Sequence, residues 1–142
     1  AKAYLQPANP LADVSPASPA GDRVPVTVMR PRAFVTNLTN GARLPPDPFT
    51  IIRGIALGGD HGVTSVELSA DNGASWLTTR LGPDHGRFAF RRFLGVLHLP
   101  RGRHAVIARA RNAAGVEQPL RQNWNPSGYN RAGVEPVQVE IA

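Results

Sequence analysis

The sequence feature that most constrains the fold is the stretch of residues 63–76, VTSVELSADNGASW. Val66, Leu68 and Ala70 alternate with polar residues, which is the period-two pattern of a strand with one buried face. The segment 71–73 (Asp-Asn-Gly) that follows is rich in residues that adopt a left-handed backbone. The stretch therefore predicts a β-hairpin.

Two registers of this hairpin differ in where they place the indole of Trp76. A two-residue Asn72-Gly73 turn pairs Ser69 with Trp76 and puts the indole on the polar face, whereas a three-residue loop over 71–73 pairs Leu68 with Trp76. A slip of one residue moves every side chain to the other face. Because truncating a core aromatic costs about 3–5 kcal/mol, we favour the three-residue loop and predict that Leu68 and Trp76 are core residues.

The rest of the chain continues in short alternating segments separated by turn signals. With 14 Gly and 14 Pro in 142 residues and no helical period, it predicts an all-β, immunoglobulin-like antiparallel β-sandwich of E-set type, with about seven strands. Residues 1–22, rich in proline and small side chains, are expected to form a linker or surface-wrapping arm, and residues 23–142 the sandwich. The predicted strands outside the hairpin are 24–30, which 33–38 continues after a break at Pro31, and then 49–57, 88–93, 96–99, 104–111 and 134–141. Residues 78–81 continue the hairpin to its following turn.

The charge pattern does not favour nucleic acid as a partner. The net charge is +6, and every basic residue except Lys2 is an arginine. These arginines form only short clusters, without aromatic residues spaced for base stacking. No apolar run is long enough to span a membrane, so we expect no membrane partner either.

The residue types that carry chemistry are scattered along the chain. Cysteine is absent, and the four histidines show no metal-binding spacing. The pairs Asp60/His61 and Asp84/His85 lie in glycine-bearing loops, where turn roles are more common than catalysis. We therefore predict no catalytic, cofactor-binding or metal-ligating residue within this chain.

One loop stands out as a contact surface, namely residues 118–129, QPLRQNWNPSGY. Loops on sandwiches often carry function, and Trp, Tyr and Arg are typical contact anchors. Either this loop contacts a partner or another domain, or its tryptophan only fastens the loop to its own domain. The candidate contact residues in and beside this loop are Trp124, Asn125, Ser127, Tyr129, Arg121 and Arg131.

The order of three motifs, VELSADNGASW, ARARNAAGVEQP and WNPSGY, resembles the C-terminal dimerisation domain of molybdenum-cofactor oxidoreductases of the sulfite oxidase family. The resemblance covers residues 26–141, and the opening Ala1-Lys2-Ala3-Tyr4 resembles the exit from the preceding cofactor domain. It implies an immunoglobulin-like domain that holds a homodimer together and packs against a separate domain. That other domain would carry the molybdopterin, the molybdenum and its cysteine ligand. A bacterial parent, periplasmic or otherwise exported, is favoured on the same basis.

The resemblance also directs attention to the anion pocket of the parent. Animal sulfite oxidases place an arginine immediately before the glycine of the WN-x-x-G segment, where this chain has Ser127. Either Arg121 or Arg131 supplies the charge instead, or the parent acts on a substrate other than sulfite. The alternative to this family is a free-standing immunoglobulin-like module that binds a carbohydrate or a protein.

Overall fold

The computed structural model describes residues 4–17 and 21–142, and within these ranges the chain forms strands and loops but no helix that could span a membrane. The residues Ala1–Ala3, which open the predicted arm, lie outside the described part. The strands in chain order are β1 Leu5–Pro7, β2 Arg23–Pro25, β3 Arg32–Val35, β4 Ala42–Leu44, β5 Thr50–Leu57, β6 Val63–Ser69, β7 Leu77–Thr78, β8 Arg80–Leu81, β9 Arg91–Leu97, β10 Gly102–Asn112 and β11 Val137–Ile141.

Two sheets face each other across the core. One has five strands in the order β4-β11-β10-β6-β7, and the other has four in the order β3-β5-β9-β8. Neighbouring strands are antiparallel, apart from β11 and β4, which run parallel. The predicted immunoglobulin-like β-sandwich is therefore confirmed.

The core is built from the inward residues of both sheets. Ile52 of β5, Val66 and Leu68 of β6 and Val106 of β10 are all fully buried. Gly54 of β5 leaves room for the ring of its neighbour Phe93, because a Cβ there would lie 2.2 Å from the ring. The glycine in this strand thus marks a close approach between the backbone and an aromatic side chain.

Several strand boundaries differ from the sequence prediction. Residues 88–93 and 96–99 do not form two strands, because β9 runs without interruption through Gly95. The Cβ that Gly95 lacks would lie 2.5 Å from Leu68 Cδ1, so the glycine serves core packing rather than a turn. The expected strand 24–30 is reduced to β2, and β4 forms in a region predicted to be a connection.

The hairpin register is the one that the sequence argument rejected. Leu68 pairs with Leu77 rather than with Trp76, and both Asn72 (φ 58°) and Gly73 (φ 84°) have left-handed backbones. This is the two-residue turn, which places the indole on the outer face. The prediction that Trp76 belongs to the core is wrong.

The indole on that outer face is covered by a charged side chain instead. The Arg109 guanidinium lies 3.8 Å from the centroid of the Trp76 ring, and it also pairs with Glu67 at 2.7 Å and with Glu117 at 2.8 Å. A guanidinium over an aromatic face is attracted by the ring quadrupole. Half-burial against Arg109 therefore replaces the core burial that we expected for Trp76.

The turn itself is held by a carboxylate. Asp71 accepts hydrogen bonds from the Ser69 hydroxyl at 2.6 Å and from the backbone N–H and hydroxyl of Ser75 at 3.0 and 2.5 Å. These bonds, led by the Ser69 hydroxyl, lower the pKa of Asp71 to about 2. The ionised carboxylate is thus the form that closes the hairpin.

Candidate functional site

The loop between β10 and β11 is anchored by one buried amide. The Gln118 side chain is 1% exposed. Its Oε1 accepts hydrogen bonds from the backbone N–H of Ala33 at 3.0 Å and of Ala110 at 3.3 Å, and its Nε2 donates to the Gly133 carbonyl at 3.1 Å. One side chain therefore ties both sheets to the far end of the loop.

A second buried amide shapes the tip of the loop. Asn125 is 5% exposed; its Nδ2 donates to the carbonyls of Tyr129 at 2.8 Å and Ala12 at 3.0 Å, and its Oδ1 accepts from the Tyr129 N–H at 3.1 Å. Gly128 has the positive φ of 70° that the turn needs. The side chain of Asn125 is thus occupied within the chain.

The N-terminal segment packs along this loop. The Asp13 carboxylate accepts a hydrogen bond from the Trp124 N–H at 2.6 Å and forms an ion pair with Arg121, while the Val14 N–H donates to the Trp124 carbonyl at 2.8 Å. The Trp124 N–H, followed by Arg121, lowers the pKa of Asp13. β1 of the same segment pairs with β2 in a separate two-stranded sheet, so the segment is held at two places.

The remaining candidates face outward. Trp124 is 41% exposed, and Ser127 is also exposed. Arg131 lies 3.7 Å from Glu135, with most of its side chain in solvent. The Tyr129 ring is half-buried, 6.0 Å from the ring of Tyr4. The loop thus offers an indole, a hydroxyl and a loosely paired cation on its surface.

The aspartates of the two acid–histidine pairs accept hydrogen bonds from backbone N–H groups. Asp60 accepts a hydrogen bond from the Met29 N–H at 3.2 Å, and Asp84 accepts one from the Gly86 N–H at 2.9 Å. Across residues 4–17 and 21–142, no group of three or more His, Cys, Asp or Glu side chains could hold a metal ion. The donor set of the described residues does not fit a molybdenum site.

Sequence reasoning missed a second surface, the outer face of the four-stranded sheet. Arg53, Arg80 and Arg92 lie there beside exposed apolar residues, Ile51 and Leu94 among them. The alternation within each strand indicates which residues point outward. Only the pairing of β5, β9 and β8 brings the three arginines together.

Comparison with known proteins gives structural likenesses only. No protein-family model matches the sequence, and no curated protein matches it. The sulfane dehydrogenase SoxCD from Paracoccus pantotrophus is similar over 92% of this chain, with a TM-score of 0.65 and 24% identity; the match spans 37% of the SoxCD chain. The fibronectin(III)-like modules of Clostridium thermocellum CbhA are similar over 84% of this chain and 54% of theirs, with a TM-score of 0.52 and 13% identity. At these identities, the likenesses identify the chain as an immunoglobulin-like β-sandwich.

Proposed function

We propose that this chain is an accessory and dimerisation domain of a molybdenum-cofactor oxidoreductase of the sulfite oxidase type. The observation that carries the proposal is the superposition of 92% of the chain on little more than a third of a sulfane dehydrogenase chain. The ordered motifs VELSADNGASW, ARARNAAGVEQP and WNPSGY support the same family. We therefore assign this domain a role in the assembly of its parent enzyme rather than in the chemistry.

The proposal assigns the molybdopterin to a separate domain of the parent. Molybdenum in this family is bound through a cysteine thiolate, and this sequence has no cysteine. The loop that carries Trp124, Ser127 and Arg131 is proposed as the surface that contacts the cofactor domain. Arg131 is the better candidate for reaching an anionic substrate, since Arg121 is held by Asp13.

The subunit contact is proposed for the apolar end of the four-stranded sheet. Phe49 is 68% exposed, and the cross-strand pair Ile51 and Val96 is 45% and 39% exposed. Neighbouring exposed apolar side chains on a flat sheet face are typical of an interface. A stable symmetric dimer would bury on the order of 1,600 Å² in total.

The test uses the full-length natural protein that contains this chain. We expect about one molybdenum atom per chain by elemental analysis, as the family assignment requires, and a dimer by sedimentation velocity. Ile51→Glu should convert the dimer to monomer, because it places a charge in the contact, whereas the control Val28→Glu, at a residue outside both sheets and 50% exposed, should leave it intact. Absence of molybdenum would contradict the family assignment, and a dimer unaffected by Ile51→Glu would contradict the proposed contact.

A second candidate is a free-standing module that binds a carbohydrate or a protein. The likeness to the fibronectin(III)-like modules of CbhA, at a TM-score of 0.52, favours it because such a likeness requires no cofactor domain. A full-length protein that is monomeric and lacks molybdenum would support this candidate over the first.

A further inference from the structure

The outer face of the four-stranded sheet carries an arginine cluster with no acidic side chain in its strands. β3, β5, β8 and β9 contain no Asp or Glu. The outward positions include Arg53 on β5, Arg80 on β8 and Arg92 on β9, and all three are exposed. We call these three residues the arginine triad.

The strand register brings the triad together. Leu94 pairs with Arg53 on one side and with Arg80 on the other, so these three residues form one row across the sheet. With neighbouring strands about 4.8 Å apart, the two arginine Cα atoms are roughly 10 Å apart. Arg92 lies two residues from Leu94 on the same strand and therefore on the same face.

A shallow depression lies between these side chains. Its volume is about 450 Å³, and the triad lines it together with Thr36 and Leu94. Arg53 and Arg80 flank Leu94 from the two neighbouring strands, and arginine side chains are long enough to meet above this leucine. The sheet therefore supplies the floor of the depression, and the three arginines belong to its lining.

The triad combines close placement on one sheet face with a lack of ion pairing. Within residues 4–17 and 21–142, no member of the triad forms an ion pair, whereas seven other arginines each lie within 4 Å of a carboxylate. Three like charges around one depression repel one another unless an anion lies between them. The paired arginines are Arg32, Arg43, Arg91, Arg109, Arg111, Arg121 and Arg131.

We propose that the arginine triad binds a tetrahedral oxyanion of the sulfate or phosphate class, either free or as an ester group. One guanidinium matches the two coplanar oxygens of a carboxylate. Three guanidinium groups that approach from three strands match an anion whose oxygens point in several directions. The ester form would seat its organic part on the apolar residues beside the triad, the half-buried Ile55 and the exposed Leu94.

The test is isothermal titration calorimetry of the protein with sodium sulfate and with sodium phosphate, at constant ionic strength set by sodium chloride. We expect one saturable site per chain. The triple variant Arg53→Gln/Arg80→Gln/Arg92→Gln should bind sulfate roughly 10–100-fold more weakly, since each exposed charge pair contributes a modest share.

The control is a second triple variant that removes the same charge elsewhere. Arg23, Arg101 and Arg103 are exposed and lie outside the four-stranded sheet, and their replacement by Gln also lowers the net charge from +6 by three, to +3. The control should retain the affinity of the unchanged protein. Equal weakening in both triple variants, or no saturable sulfate binding at all, would overturn the proposal.

A further arm separates the two sources of the anion. If the physiological ligand is an ester, a sulfated oligosaccharide should bind more tightly than free sulfate and should lose that gain in the triad variant. Equal affinities on a per-site basis would assign the site to the free ion. The proposed function is tested by molybdenum content and sedimentation, and this site by sulfate binding, so the two proposals can fail separately.

Discussion

The Gln118→Leu substitution tests whether one buried amide connects the two sheets to the loop. Leucine has a similar volume, so the change removes hydrogen bonds without opening a large cavity. In the native protein the side chain accepts from the N–H groups of Ala33 and Ala110 and donates to the Gly133 carbonyl. The perturbation is therefore almost purely polar.

The expected loss follows from the groups that remain unpaired. The Gly133 carbonyl keeps a second hydrogen-bond donor, the Gln122 side-chain amide at 2.9 Å, so the free-energy cost at this carbonyl is small. The N–H groups of Ala33 and Ala110 lose their side-chain acceptor in a buried site, and each unsatisfied group costs about 1–3 kcal/mol. The free energy of unfolding should fall by about 2–6 kcal/mol, a large share of the roughly 5–15 kcal/mol that stabilises a typical domain.

Urea unfolding followed by far-UV circular dichroism measures this change. The matched control is Gln138→Leu, at an exposed position on β11, where we expect a change within about 0.5 kcal/mol. Both variants should keep the native dependence on denaturant, which would show that unfolding remains two-state. A loss below about 1 kcal/mol for Gln118→Leu would refute the reasoning.

Two further predictions concern the central hairpin. Trp76→Ala should lower the free energy of unfolding by about 1–3 kcal/mol, because the indole is half-buried against Arg109 rather than in the core. Trp124→Ala should lower it by less than about 1 kcal/mol. Equal losses of the two variants in urea unfolding would contradict this prediction. The pKa of Asp71 is lowered in the folded protein from 3.8 to about 2, so its stabilising effect should be complete above about pH 4 and disappear as the pH falls towards 2. Stability measured from pH 6 to 2 should show a smaller acid loss in Asp71→Asn, and identical profiles would contradict the role of the carboxylate.

The local pattern of the sequence was sufficient to predict the fold class, because the alternation of apolar and polar residues lies within each single strand. The alternation over residues 63–70 and the long run of β5 predicted strands that the structure contains. Strand boundaries were less predictable, because a glycine can either break a strand or make room for a neighbouring side chain. The prediction of separate strands at 88–93 and 96–99 leaves Gly95 between them, but its missing side chain makes room for Leu68 in the core.

The hairpin register shows why burial alone is a weak guide. From the sequence, the Trp76 indole has two possible environments, the core or the solvent. In the structure it has a third, a surface position under the Arg109 guanidinium. Arg109, Glu67 and Glu117 form a charged network on the outer face, and the guanidinium covers the ring. The partners come from β6, β10 and the following loop, so no local pattern around the turn could reveal them.

The candidate site has the same limit, because the local sequence does not tell which arginines are paired with a carboxylate. Arg121 was predicted as a contact residue, yet it pairs with Asp13, which is 108 positions away in the chain. The sequence groups Arg92 only with its neighbour Arg91, whereas the pairing of β5, β9 and β8 places Arg92 with Arg53 and Arg80 around one depression. An arginine-rich composition therefore does not identify an anion site. What identifies it is the absence, among the described residues, of carboxylate partners for the arginines that the sheet brings together.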